Sequence, residues 1–257
     1  MKRFVLVGLP VLAVAGALAA HRSAPATPPA ARVPVVVELF TSEGCSSCPA
    51  ADVALRELES TQPVPGAEVI ALGQHVDYWN RLGWKDPFSA AQFTDRQRAY
   101  AAGFGTGSYT PQAVVNGQYE FVGSNHAALV AAIANAARGP RATVQLARTA
   151  GALAVTVSNL PTDAPAATVL LAITETGLAT QVGRGENAGR LLRHAAVVRA
   201  LRSLGPASAH ATFSTPLALR PEWKTENLRA VVLVQDGATR RIVGAASLPL
   251  VAGVAAN

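Results

Sequence analysis

Both cysteines of the 257-residue chain fall in one short stretch, Gly44-Cys45-Ser46-Ser47-Cys48-Pro49. A thiolate is the nucleophile of thiol–disulfide exchange, so this spacing suits one cysteine that attacks and a second that resolves the mixed disulfide. Cys45 follows a loop after the apolar, β-branched run Val35 to Phe40, at the start of an expected helix from Ser46 to Glu59. Unpaired backbone N–H groups at a helix start favour a thiolate. Cys48 would curl beneath Cys45 within one turn. Pro49 gives up only a donor that the first turn leaves idle.

Strand, CxxC and helix in a β-α-β setting, completed by Val69 to Leu72, is the pattern of a thioredoxin-like redox motif. Tyr109-Thr110-Pro111, just before a strand at Ala113, resembles the cis-proline that faces the cysteines in such folds and aligns a substrate strand. Thr110 and Pro111 therefore join Cys45 and Cys48 as candidate catalytic residues.

His75-Val76-Asp77-Tyr78-Trp79 begins a second dense segment, with Trp84 and Phe88 close behind. Trp79 and its aromatic neighbours could line a peptide cleft, and His75 or Asp77 could carry protons to and from Cys48. The plainer alternative is that the aromatics cap a core and the polar groups bond their own loop. Glu38, seven residues before Cys45, is a further candidate for proton transfer, with an edge-facing or loop-bonded side chain as the alternative. The cysteine pair could also be a static disulfide. With His75 as third ligand, Cys45 and Cys48 could instead hold copper or another soft metal. No motif asks for a cofactor: Gly-rich phosphate loops, Ser-His-Asp and HExxH patterns are missing from the sequence.

These residues need elements to hold them. Pro87 to Ala102 reads as a polar helix, and Ala113–Val115 and Tyr119–Val122 flank Asn116-Gly117, a strong hairpin signal. Ser124 is a plausible N-cap for an Ala-rich helix from His126 to Arg138, which Gly139-Pro140 stops. Beyond Arg141 come short β-rich runs: Thr143–Leu146, Leu153–Val157, Thr168–Ile173, Val231–Val234 and Ile242–Val243. The alternation from His194 to Arg199 suggests a strand with one solvated face. Only two aromatics, Phe213 and Trp223, lie beyond Arg141, which supports a boundary near Gly139–Arg141.

Lys2 and Arg3, an apolar run from Phe4 and small residues at Ala17 and Ala19 make residues 1–20 an expected secretory signal. An uncleaved N-terminal anchor is the alternative. Residues 21–34 form a Pro/Ala linker. Export to the periplasm or beyond follows, with no membrane span after cleavage. Losing Lys2 and Arg3 lowers the net charge from +6 to +4. The arginines Arg184, Arg190, Arg193, Arg199 and Arg202 have no interleaved aromatics, so nucleic acid is not an expected partner.

The run Val37 to Asp52, His75 to Trp79, Tyr109 to Gln112, Glu186-Asn187-Ala188-Gly189-Arg190 and His194 to Leu201 together resemble a bacterial secreted family, domain-of-unknown-function family 1223. The family usually carries CPPAD where this chain has Cys48-Pro49-Ala50-Ala51-Asp52. The resemblance implies a thioredoxin-like fold and an exported protein, and no substrate. The expected architecture is an α/β thioredoxin-like domain (35–139, β-α-β-α-β-β-α) followed by a mostly β, sandwich-like domain (140–257). The expected function is a thiol–disulfide oxidoreductase acting on a protein or small-thiol redox partner. A copper-binding or assembly protein and a secreted scaffold with a static disulfide are the alternatives.

Overall fold

The computed structural model describes Met1, residues 32–149 and residues 151–251. The expected signal peptide beyond Met1, and the linker up to residue 31, lie outside the described residues.

Val33–Thr41 (β1) pairs in parallel with Ala67–His75 (β2), and Cys48–Thr61 (α1) crosses between them. Both strands are buried on both faces, hence their unbroken apolar sequences. Val35, Val37 and Leu39 point to a core shared with Ala51, Leu55 and Leu58 of α1 and with Leu129 and Ile133 of His126–Ala136 (α3). Val36 points the opposite way, to Ile70 and Leu72, while Phe40 meets Val76, Tyr100 and Val114. α1 begins at Cys48, two residues later than its periodicity suggests, with Pro49 in the first turn. Gln62 ends it in a left-handed conformation and bonds both backbone groups of Val69, which fastens the helix end to β2.

Ala91–Phe104 (α2) starts later than the sequence reading at Pro87, because Asp86 bonds the Phe88 N–H and Ser89 in a turn of its own. Gln112–Val115 (β3) pairs antiparallel with β1, and the Asn116-Gly117 turn leads into Tyr119–Val122 (β4). Asn125, rather than Ser124, caps α3 through the Ala128 N–H.

The remaining strands are Thr143–Thr149 (β5), Ala152–Ser158 (β6), Ala167–Glu175 (β7), Ala179–Gln181 (β8), Leu191–Arg193 (β9), Val197–Pro206 (β10), His210–Pro216 (β11), Leu228–Asp236 (β12) and Ile242–Pro249 (β13). Their pairing overturns the expected fold class. The structure is mostly β: one mixed eight-stranded sheet runs β13-β12-β7-β10-β2-β1-β3-β4. It is therefore not a thioredoxin-like domain followed by a separate sandwich. The junction lies at Gly73, whose N–H bonds the Ala196 carbonyl at 2.7 Å, where β10 joins β2 in parallel. A Cβ at Gly73 would stand 3.4 Å from that oxygen. Sequence periodicity sets which residues are strands; it carries no information about which distant edge each strand meets.

The sheet curls on itself. The Ile242 N–H, at the start of β13, bonds the carbonyl of Asn116, at the end of β3, at 2.8 Å. Val36, Leu72, Val231, Leu233 and Ile242 fill the concave side. A three-stranded sheet, β11-β6-β5, lays Leu153, Val155 and Val157 against Val169, Leu171 and Val232. β8 and β9 form a two-stranded ribbon whose connecting loop carries Glu186 and Asn187. Among the described residues, no helix is long and apolar enough to cross a membrane.

Candidate functional site

Cys45 and Cys48 form a disulfide, with Cα atoms 5.4 Å apart. Cys45 lies in the turn after β1, and Cys48 is the first residue of α1. The positive helix end therefore lies nearer Cys48 than the sequence implies. Both cysteines are fully buried, whereas Ser46 and Ser47 between them are exposed.

The cover comes from the far end of the chain. Asn187, itself buried, donates its side-chain amide to the carbonyls of Glu43 and Cys45, at 2.9 Å each. Glu186 accepts the Ser46 N–H at 2.9 Å. The β8–β9 loop thus clasps the cysteine turn from outside.

Thr110–Pro111 is cis, with Pro111 buried. Trp79 links this peptide to the cysteine turn: its indole N–H donates to Thr110 Oγ1 at 2.8 Å, and its Cβ would lie 3.2 Å from a Cβ on Gly44. Gly123 donates its N–H to the Pro111 carbonyl and sits against both Pro111 and Ala51 of α1. The structure thus joins Trp79, Thr110 and Pro111 to the cysteine turn.

Glu38 goes elsewhere. It is fully buried on the concave side, where Arg96 holds both carboxylate oxygens and Tyr100 and Gln74 donate to them. Burial, and then the Glu38 carboxylate, push the Tyr100 hydroxyl well above its ordinary pKa. Asp77 is also tied up locally, accepting from Thr94 Oγ1 at 2.6 Å at the start of α2.

His75 belongs to a different cluster. In register, Thr41 and His75 pair at the ends of β1 and β2, on the side that α1 covers. Thr41 bonds Asp52 of α1 at 3.0 Å. His75 Nδ1 lies 2.6 Å from Asp86, which also accepts the Glu43 N–H. Burial opposes charge on Asp86, but His75 and the backbone donors outweigh it and hold the carboxyl below its usual range. The His194 ring packs edge-on against His75 at 4.8 Å between centroids. Its Nε2 meets Glu43 at 2.9 Å, and Trp84 donates to the other Glu43 oxygen at 2.7 Å. Burial disfavours the His194 cation, yet the Asp52 and Glu43 carboxylates more than offset that and push its pKa up to about 9.

The family described as "Protein of unknown function (DUF1223)" matches the chain over residues 36–235. The chain belongs to that family. AGR_C_4864 from Agrobacterium tumefaciens superposes with a TM-score of 0.71 at 27% identity, covering 88% of this chain and 98% of that one. HBP35 of Porphyromonas gingivalis gives 0.60 at 15% identity, over 88% of this chain and 80% of that one, a likeness of fold. No curated protein matches the chain.

The family match spans both the cysteine turn and its clasp, although 142 residues separate Cys45 from Asn187. The residue reading missed Asp52, Asp86, Glu186, Asn187 and His194 as site residues. The alternation from His194 to Arg199 suggested a solvated face, but His194 through Val198 are all buried and the strand starts only at Val197. Arg199 is half-buried, stacked between Phe88 and Trp223 and paired with Glu175. One signal was available: a histidine inside an otherwise apolar run must find a partner or a ligand when buried.

Proposed function

We propose that the chain is an exported thiol–disulfide oxidoreductase acting on a protein or small-thiol partner. The observation that carries this reading is the closed Cys45–Cys48 disulfide, formed by the only two cysteines of the sequence between an exposed turn and the first residue of α1. In the reducing direction the Cys45 thiolate attacks a partner disulfide and expels one partner thiolate. Cys48, deprotonated, then attacks Cys45 Sγ, releases the second partner thiolate and leaves the Cys45–Cys48 disulfide. Two electrons pass to the partner. The Thr110–Pro111 loop and Trp79 border the approach to the turn. Export is supported by the signal-like pattern of residues 1–20 and by a disulfide suited to an oxidising compartment.

Insulin reduction or dithiol oxidation tests this reading. Activity is lost in Cys45→Ser, and Cys48→Ser accumulates mixed disulfides; unchanged activity in both variants overturns it. The full burial of both sulfurs favours a second reading, a static structural disulfide. A reduction potential below about −300 mV would select it.

A further inference from the structure

We propose a divalent transition-metal site, of zinc type, formed by His75 Nε2, His194 Nδ1 and the Asp52 carboxylate. These three donors lie within 4.8 Å of one another, and all three residues are buried. His194 Nδ1 stands 3.9 Å from Asp52 Oδ1, too far for a hydrogen bond. His75 Nε2 and His194 Nδ1 are both buried ring nitrogens with no hydrogen-bond partner. An orphaned buried polar atom costs about 1–3 kcal/mol, so two within 4.8 Å of each other and of a carboxylate call for a shared ligand.

The outer contacts have the form that metal-bound histidines require. A ligating imidazole usually gives its other ring N–H to a carboxylate, which fixes the tautomer and aims the free nitrogen at the metal. Here the other nitrogen of His75 meets Asp86, and that of His194 meets Glu43. Each carboxylate is held in turn: Asp86 by the Glu43 and Phe88 N–H groups, Glu43 by Trp84, and Asp52 by Thr41. Charge points the same way. Asp52, Glu43 and Asp86 bring three carboxyl groups together, and their only ion-pair partners among the described residues are the two imidazoles. Two imidazoles and one carboxylate match a borderline ion, which bonds such ligands at about 2.0–2.2 Å once the side chains draw in around it and takes a fourth ligand. The donors come from the ends of β1–α1–β2 and the segment before β10, at the carboxyl ends of parallel strands where α/β sheets usually bind ligands.

The test uses the full chain with its disulfide intact, stripped with a chelator and titrated with Zn(II) by calorimetry and with Co(II) by visible absorption. One ion binds per chain. His75→Gln and His194→Gln, checked for folding by circular dichroism, each weaken binding at least tenfold, while Cys45→Ser/Cys48→Ser binds as tightly as the natural sequence. X-ray absorption of the zinc-loaded natural sequence shows nitrogen and oxygen ligands with imidazole scattering and no sulfur, a readout independent of any variant. Failure of the natural sequence to bind zinc overturns the proposal. So do unchanged affinity in both histidine variants, loss of binding in the cysteine variant, and sulfur in the metal shell. None of these readouts depends on thiol exchange, so this site can fail while the redox reading stands, or the reverse.

Discussion

Asn187 spans the Cys45 turn from the opposite end of the sequence, donating to the carbonyls of Glu43 and Cys45 at 2.9 Å each. Those carbonyls belong to buried residues, so the amide supplies donors that water cannot reach. Asn187→Ala leaves the Glu43 carbonyl without this donor and the Cys45 carbonyl with only the Cys48 N–H, and costs about 1–3 kcal/mol, read from urea denaturation. The same change uncovers the disulfide, and reduction by dithiothreitol becomes several-fold faster. An unaltered rate would show that the β8–β9 loop does not control access to the sulfurs.

Glu186 makes this cover pH-dependent. Its hydrogen bonds from Ser46 hold the carboxyl below its ordinary value of 4.5. A carboxylate whose pKa is lowered in the folded state keeps its contribution above the ordinary value and loses it as pH falls through the lowered one. Reduction of the disulfide by a water-soluble phosphine therefore quickens in the natural sequence below about pH 4.5, relative to neutral pH. In Glu186→Gln the profile is flatter. Equal profiles would place the acid sensitivity elsewhere.

The Glu38–Arg96 pair separates stability from proton transfer. Both side chains are almost wholly buried, and Gln235 and Tyr100 complete the network. Arg96→Met strands the Glu38 charge and costs about 3–5 kcal/mol, whereas Glu38→Leu with Arg96→Met recovers most of it. Chemical denaturation reads both. Glu38→Gln leaves the pH profile of thiol exchange unchanged, because the carboxylate is engaged by Arg96 rather than by a cysteine. A shifted profile would restore Glu38 as a proton carrier.

Gly117 reports on the curl of the sheet. It holds φ +66°, and a Cβ there would fall within van der Waals exclusion of the Arg240 carbonyl in the β12–β13 turn. Gly117→Ala combines a left-handed backbone with displacement of that peptide and costs about 2–4 kcal/mol, measured as a lowered denaturation midpoint. Gly66, also at positive φ but with open space around its Cβ position, serves as the control and loses less on the same change.

Where residues near in sequence do the work, local patterns were enough. Asn116-Gly117 makes the expected turn and α1 starts within two residues of its periodicity, while the cis Thr110–Pro111 bond was implied only by resemblance. Glu38 shows the limit. Its place in an apolar strand marks it as buried, but Arg96, which decides its role, lies 58 residues away on another element.

By itself, the sequence determined which cysteines could pair, because two cysteines alone, three positions apart, leave one intramolecular partner for each; that they are joined is seen in the structure. It also marked the runs that become β5, β6, β7, β12 and the start of β13, since apolar and β-branched residues in runs that short have few other ways to be buried, but not β8, β9 or β11. Only the tertiary structure decided that β10 joins β2, that Asn187 closes over Cys45, and that His194 comes to rest against His75. Those contacts join residues more than a hundred positions apart. Their selection depends on shape and on the pairing of buried polar groups across the whole sheet, quantities that no local window of residues contains.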